Sequence, residues 1–167
     1  MPSAVVSSAR DADALAAFRR LLAEYQAALD PDLRVPNLED ELQTLAERYP
    51  EPSCALLLAR AGDEAVGCVI VKALDASTAE IKRLYVAPAA RGSGAGRALM
   101  EAAIDFARER THTRIVLDTE RVRLVRAYTL YRSLGFVHCA PYAPPEYENP
   151  TYMELSIGET TPSRADS

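Results

Sequence analysis

The stretch Glu80-Ile-Lys-Arg-Leu-Tyr-Val-Ala-Pro-Ala-Ala-Arg-Gly-Ser-Gly-Ala-Gly-Arg-Ala-Leu-Met100 constrains this chain more than any other. It reads as strand, short loop, glycine-rich turn and helix start. The strand, Ile81 to Val86, runs into Val-Ala-Pro, and Pro88 cannot continue a ladder because it has no N–H. In the turn Arg91-Gly-Ser-Gly-Ala-Gly96, the glycines admit positive φ and let backbone approach a ligand with no Cβ in the way. A helix starting here aims its unpaired N–H groups back at the turn. Those amides and the positive end of the helix dipole make an anion site suited to phosphate or diphosphate. Arg91 and Arg97 bracket it with fixed positive charge. A turn that merely connects two elements is the competing reading; the preceding strand, the amphipathic helix and the arginines favour the anion site.

Around this stretch the chain alternates helical and strand patterns. Ala4 to Ser8 suits a first strand. Asp11 and Asp13 suit a helix start, where acidic groups oppose the dipole. Leu15, Phe18, Leu22, Tyr25 and Leu29 recur at helical spacing and give one apolar stripe, which Asp30-Pro31-Asp32 stops. Residues 30–37 read as a loop. Asn37 is the expected cap of a second helix, with Glu39, Asp40 and Glu41 in its first turn and Leu38, Leu42 and Leu45 on its inner face. Pro50 and Pro52 end it.

Residues 54–60 and 66–72 are apolar runs of strand length, joined by the hairpin signal Ala61-Gly-Asp-Glu64. Asp75-Ala-Ser-Thr78 gives another turn, so three successive strands are expected to be antiparallel. Residues 97–110 read as a helix with Leu99, Met100, Ala103, Phe106 and Ala107 on one side. Residues 114–117 read as a short strand. Residues 124–134 read as a helix whose Ala127, Leu130, Tyr131 and Leu134 share a face, with Gly135 in the usual C-terminal position. Residues 136–139 and 152–157 are the last strands, separated by a proline-rich loop at 140–150. Residues 159–167 are small and polar and are expected to be disordered. The order β-α-α-β-β-β-α-β-α-β-β predicts one α/β domain over residues 4–158, with a mixed, mostly antiparallel sheet flanked by helices.

Two ordered motifs carry a family resemblance. Arg-x-x-Gly-x-Gly at 91–96, after Leu-Tyr-Val and before Ala-Leu-Met, resembles the acetyl-CoA signature of GNAT-type N-acetyltransferases. Leu130-Tyr-Arg-Ser-Leu-Gly-Phe136 resembles that family's later helix-to-strand corner. The element order is also the family's. The resemblance implies a single GNAT domain that takes acetyl-CoA as co-substrate, and it assigns the two N-terminal helices to the acceptor wall. It implies that backbone of Leu84, Tyr85 and Val86 lines the acetyl and pantetheine arm. It also implies that Arg91, Gly92, Ser93, Gly94, Ala95, Gly96 and Arg97 hold the diphosphate.

Acetyl transfer from a thioester to an amine needs a held donor, a neutral amine and a stabilised leaving thiolate. The resemblance implies that Tyr131 is the general acid toward the sulfur, as a phenol of pKa about 10 can be. Packing is its alternative, because Tyr131 also lies on the apolar stripe. By the same resemblance Glu80 is the candidate general base, directly or through water. A surface ion pair with Lys82 is its alternative, since residues two apart on a strand share a face. Some relatives carry a coenzyme-contacting asparagine where this chain has Leu124. The loop at 141–150 brings Tyr142, Glu146, Tyr147, Glu148 and Asn149, which suit closure over a cationic acceptor; a plain solvated connection is the alternative.

Composition removes other classes. The chain has 167 residues, 49% hydrophobic and 26% charged, consistent with one globular domain. A net charge of −5 with no Lys/Arg run argues against a nucleic-acid surface. Cys54, Cys68 and Cys139, together with an N-terminal segment unlike a secretory signal, point to free thiols and a cytoplasmic setting. His112 and His138 stand alone, so no metal is expected. No apolar run approaches the about 18 residues of a membrane span. Gly-x-x-x-x-Gly-Lys is absent, which disfavours a P-loop nucleotidase. A dinucleotide oxidoreductase would carry G-x-G-x-x-G in a first β-α-β unit, which is not the pattern here. The leading expectation is an N-acetyltransferase acting directly on a primary amine of a small molecule or peptide, and exposed strand edges permit a homodimer. The alternative is an acyl-CoA-binding module without turnover.

Overall fold

The computed structural model describes residues 3–158, so the expectation for residues 159–167 lies outside the described residues. Strand β1 (Val5–Ser8) leads into helix α1 (Ala12–Ala28), which starts where the acidic residues predict. The Asp11 carboxylate accepts from the Ala14 amide at 2.8 Å and satisfies one orphan donor of the first turn. Phe18, Leu21 and Leu22 are fully buried; Leu21 joins the predicted stripe, and Leu15 is only partly covered.

The second helix departs from expectation. After a 3₁₀ turn (Pro31–Leu33), it splits at Thr44 into α2 (Leu38–Gln43) and α3 (Leu45–Arg48). Thr44 takes φ −122°, outside the helical range, and its hydroxyl donates to the Asp40 carbonyl at 2.9 Å. A hydroxyl that takes a helix carbonyl in this way loosens the turn. Asn37 stands at the N-cap position, but at φ 57° and ψ 33° its side chain caps no amide. The predicted cap is therefore not made.

Strands β2 (Ala55–Ala61), β3 (Glu64–Ala73) and β4 (Thr78–Val86) follow as antiparallel neighbours, as their short turns predict. The Asp75 carboxylate closes the last of these turns by accepting from the Ser77 and Thr78 amides at 2.8 Å each. Helix α4 (Ala95–Glu109) begins ahead of the expected position 97 and carries the chain over to β5 (Arg114–Thr119). Helix α5 (Val125–Ser133) ends before Gly135, whose φ of 100° is the left-handed exit that glycine supplies. Strands β6 (Val137–His138) and β7 (Thr151–Ser156) complete the sheet.

The sheet order is β1-β2-β3-β4-β5-β7-β6, and β4–β5 is its one parallel pair among the described residues. A parallel pair needs a crossover, which α4 provides. On one face Val69, Val71, Ile81, Ile115 and Leu117 pack with Leu99, Met100 and Ala103 of α4. On the other, Leu56, Leu58, Cys68 and Ile70 pack with Phe18, Leu21 and Leu22 of α1. Each such buried leucine contributes about 1.5–3 kcal/mol of transfer free energy. No helix among the described residues is long and apolar enough to cross a membrane.

One irregularity creates the site. β4 and β5 pair only over Thr78–Glu80 and Arg114–Val116. Arg83 and Leu84 of β4 then stand together opposite Val69 of β3, a β-bulge, with Arg83 at φ 61°. A bulge bends and twists its strand. The two parallel strands separate beyond Glu80 and Val116, and the free edge of β4 faces a cleft.

Candidate active site

The glycine turn sits at the open end of that cleft. Gly92 and Gly94 take φ 83° and 91°, and a Cβ on either would meet nothing within 4 Å. Backbone conformation, rather than crowding, is what requires glycine there. Gly96 is different. It lies inside α4, and a Cβ there would stand 3.3 Å from Leu130 Cδ2 and 3.6 Å from Val86 Cγ2. Its task is to let α4 close on α5 and β4, which corrects the reading of three positive-φ glycines.

The Ala98 amide makes the first bond of α4, to the Gly94 carbonyl at 2.9 Å. The amides of Gly94, Gly96 and Arg97 carry no backbone bond among the described residues. Ala95 N–H is partly used by the Ser93 hydroxyl at 3.3 Å. Unspent donors at the dipole's positive end form a ready anion site. Of the two arginines expected to bracket it, Arg91 lines the cleft and donates to the Val86 carbonyl at 3.3 Å. Arg97 turns away, donating to Ser133 Oγ at 2.6 Å and lying 3.9 Å from Glu101. Because α4 starts at Ala95, Arg97 is already a helical residue whose side chain points outward along the barrel of the helix.

The cleft holds about 700 Å³ and is lined by Leu84 and Val86 of β4, the turn, and Leu130 and Tyr131 of α5. Tyr131 is 6% exposed and packs its ring against Phe136 at 5.9 Å. The hydroxyls of Tyr128, Tyr142, Tyr147 and Tyr152 all find side-chain or backbone partners. That of Tyr131 has no such partner among the described residues, although it lines the cleft. Burial pushes its phenol above the ordinary value of 10.0, so it remains a proton donor at neutral pH. Packing and access to the cleft thus coexist in one side chain.

A second, smaller cavity of about 100 Å³ adjoins the first at the bulge. Cross-strand partners share a face, and Lys82 pairs with Ile70, so Lys82 projects toward α1. Glu80 is two residues earlier on the same face. Its parallel partner Val116 places Asp118, two residues further along β5, on that face too. The Tyr142 hydroxyl donates to Glu80 at 2.9 Å and also approaches Asp118 at 3.4 Å. Tyr147 donates to Asp118 at 2.6 Å. The proline-rich loop is therefore closed over the carboxylates, with the Tyr142 ring edge-on to Tyr152 at 5.3 Å. Burial, then the charges of Glu80 and Asp118, push the Tyr142 phenol up. Burial, then the charge and hydrogen bond of Asp118, do the same for Tyr147.

Glu80 pairs with Tyr142 and makes no ion pair with Lys82. Lys82 takes part in no ion pair among the described residues; burial first, then the charge of Arg83, lower its pKa. Arg83 itself is taken. It donates from Nε and Nη2 to the two Glu41 oxygens at 3.0 Å each, joining α2 to the bulge. Arg123 bridges the mouth, bonding Asp30 and Asp32 beyond α1 at 3.0 Å and Glu120 beyond β5 at 2.8 Å. Leu124 stands next to it at the N-cap of α5 and lines both cavities, offering no polar atom of its side chain. Sequence reasoning missed Asp118, Arg83 with Glu41, and Arg123. For Asp118 the signal was present: it follows Ile115-Val116-Leu117 with strand alternation, but its partner face depends on a register that the sequence does not state.

The open sheet, splayed at its one parallel pair among the described residues above a helix with a glycine turn, is a fold with solved counterparts. It is shared with an acetyltransferase of Streptococcus agalactiae at a TM-score of 0.78, covering 94% of this chain and 100% of that one at 23% identity. It is also shared with YncA of Salmonella typhimurium, solved with its cofactor acetyl-CoA, at a TM-score of 0.72 and 20% identity, covering 98% and 99%. The chain belongs to the acetyltransferase (GNAT) family, whose model matches residues 15–136. An uncharacterized N-acetyltransferase of Schizosaccharomyces pombe is 35% identical over 146 residues, 85% of this chain and 88% of that relative. The protein is an acetyltransferase enzyme.

Proposed function

We propose that residues 4–158 form an acetyl-CoA-dependent N-acetyltransferase acting on a primary amine of a small molecule or peptide, by direct transfer within a ternary complex. The observation that carries this reading is the alignment of three unspent features along one cleft. These are the free amides of the glycine turn, the unpaired edge of β4 and the Tyr131 hydroxyl. The residues present suit the coenzyme. The turn has no Cβ at Gly92 or Gly94, and about 700 Å³ is ample for an extended ligand.

Backbone of Arg91, Gly92, Ser93, Gly94, Ala95, Gly96 and Arg97 would hold the diphosphate, with Arg91 adding charge. Backbone of Leu84, Tyr85 and Val86 would pair with the amide-rich arm as a sheet edge pairs with an added strand. Bound acetyl-CoA supplies the acetyl group as a thioester. A β4 amide would stabilise negative charge developing on a carbonyl oxygen beside the bulge. Tyr131 would give its proton to the departing sulfur. Glu80 and Asp118 would hold the acceptor nitrogen and take up its proton, with Tyr142 linking the two carboxylates. The closed tyrosine loop would move aside as the acceptor enters.

The test measures coenzyme A binding and released thiol together. Gly94→Asp puts bulk and negative charge into the proposed diphosphate site, at a position where φ also disfavours any Cβ. Binding is expected to fall by at least about tenfold, worth about 1.4 kcal/mol. Binding at full strength would refute the placement.

A further inference from the structure

The small cavity behind the bulge is not uniformly acidic. Glu80 and Asp118 lie on one side, and Glu146 comes from the loop. Lys82, on the same strand face as Glu80, and Arg34 also line it. The other basic group there, Arg83, is neutralised by Glu41. Lys82 makes no ion pair among the described residues, and the more distant charges of Glu80, Glu41 and Glu146 do not fully offset its burial and the charge of Arg83. Arg34 is exposed, and no side-chain bond among the described residues takes up its guanidinium. A half-buried ammonium without a close counter-ion forgoes solvation and regains only part of it from carboxylates at a distance. The cost is recovered if an anion comes in with the ligand.

We infer that the acceptor is a small primary amine carrying an oxyanion close to its nitrogen, with the ammonium end received by Asp118 and Glu80 and the oxyanion by Lys82 and Arg34. This assignment rests on the acetyl-transfer reading above and narrows its acceptor. Glu80 and Lys82 are two strand residues apart on one face, ~7 Å between Cα atoms at ~3.3 Å per residue, so opposite charges close together on one short ligand meet neighbouring residues. The cavity volume of about 100 Å³ suits a short acceptor better than an extended one. A protein or peptide N-terminus, with its carboxyl converted to an amide, would leave Lys82 unanswered. A diamine would set a second cation against it. A bound oxyanion also reverses the effect of burial and Arg83 on Lys82, holding the ammonium charged.

Equilibrium titration of the coenzyme A-saturated protein tests this with matched small probes: alanine, alaninamide and ethylamine, then serine, serinamide and 2-aminoethanol. The acid of each set is expected to bind at least about tenfold more tightly than its amide or decarboxylated partner, one ion pair's worth. In Lys82→Met that ratio is expected to fall toward one, and in Lys82→Arg to be largely kept. Equal binding within each set by the wild-type protein, tighter binding of the decarboxylated amines, or no binding of the acids would overturn the assignment without recourse to either variant. Thiol release from acetyl-CoA, read with the same six compounds, reports on acetyl transfer separately. Turnover of all six alike keeps transfer to a primary amine and overturns the acid requirement. Selective binding of the acids without thiol release keeps the oxyanion site and counts against transfer to these acceptors.

Discussion

Arg83 and Glu41 meet through two hydrogen bonds of 3.0 Å, although 42 residues separate them in the chain. Their side chains are 9% and 5% exposed. The pair fixes the short helix α2 to the bulge of β4, so the wall of the small cavity and the bend that opens the cleft depend on one contact.

Glu41→Gln leaves the Arg83 guanidinium buried without its counter-charge. Breaking such a pair costs about 3–5 kcal/mol, and urea unfolding is expected to show a loss of that order. The combined replacement Glu41→Leu with Arg83→Met removes both charges and is expected to recover most of it. A single variant as stable as wild type would mean that the pair does not hold α2 in place.

Acid dependence follows from the same pair. Burial acts to raise the Glu41 carboxyl, and the bonds and charge of Arg83 outweigh it, holding it below 4.5. A carboxylate depressed on folding contributes stability that is complete above its unfolded pKa and is lost as pH falls through its folded pKa. The urea midpoint is expected to decline on acidification below about pH 5. Glu41→Gln is expected to flatten that decline, and an unchanged slope in the variant would contradict the assignment.

Tyr131→Phe keeps the ring against Phe136 and removes only the hydroxyl that faces the cleft. Turnover is expected to drop by about 100-fold, within the usual worth of a general acid. Coenzyme A affinity is expected to hold, because the proposed diphosphate site is elsewhere. The raised phenol predicts no alkaline loss of wild-type activity from this group below about pH 10. Turnover unchanged in the variant across pH would remove Tyr131 from the chemistry.

Asp118→Asn keeps the shape of the side chain and removes its charge. Acceptor kcat/KM is expected to fall by about 10–100-fold, since hydrogen bonds to charged groups contribute about 1.5–3 kcal/mol. Coenzyme A affinity is expected to stay put. The loop held by Tyr142 and Tyr147 is expected to exchange its amide hydrogens faster. Equal loss of coenzyme and acceptor binding would point instead to a general collapse of the β5 edge.

What the sequence disclosed and what it hid divide along physical lines. The turn at Gly92 and Gly94 was legible because positive φ is a demand made on single residues. The antiparallel run β2-β3-β4 was legible because short turns leave no other pairing. The candidacy of Tyr131 came only from a motif; the structure adds that it lines the cleft and that its hydroxyl has no partner among the described residues. Gly96 was misread because the crowding by Leu130 comes from a helix far along the chain. Asn37 satisfied every local rule for a cap, yet its left-handed backbone leaves its side chain capping no amide. Glu41 reads locally as a dipole-facing acid, and only tertiary packing delivers Arg83 to it. Asp118 needed the β4–β5 register, which depends on a crossover rather than on any hairpin.

The most direct test of the account is a crystal structure of the protein with coenzyme A. The account predicts diphosphate oxygens on the amides of Gly92 to Arg97, the pantetheine arm alongside Leu84 to Val86, and the sulfur within reach of the Tyr131 hydroxyl. A coenzyme seated elsewhere, with the glycine turn and the open edge of β4 both empty, would contradict it.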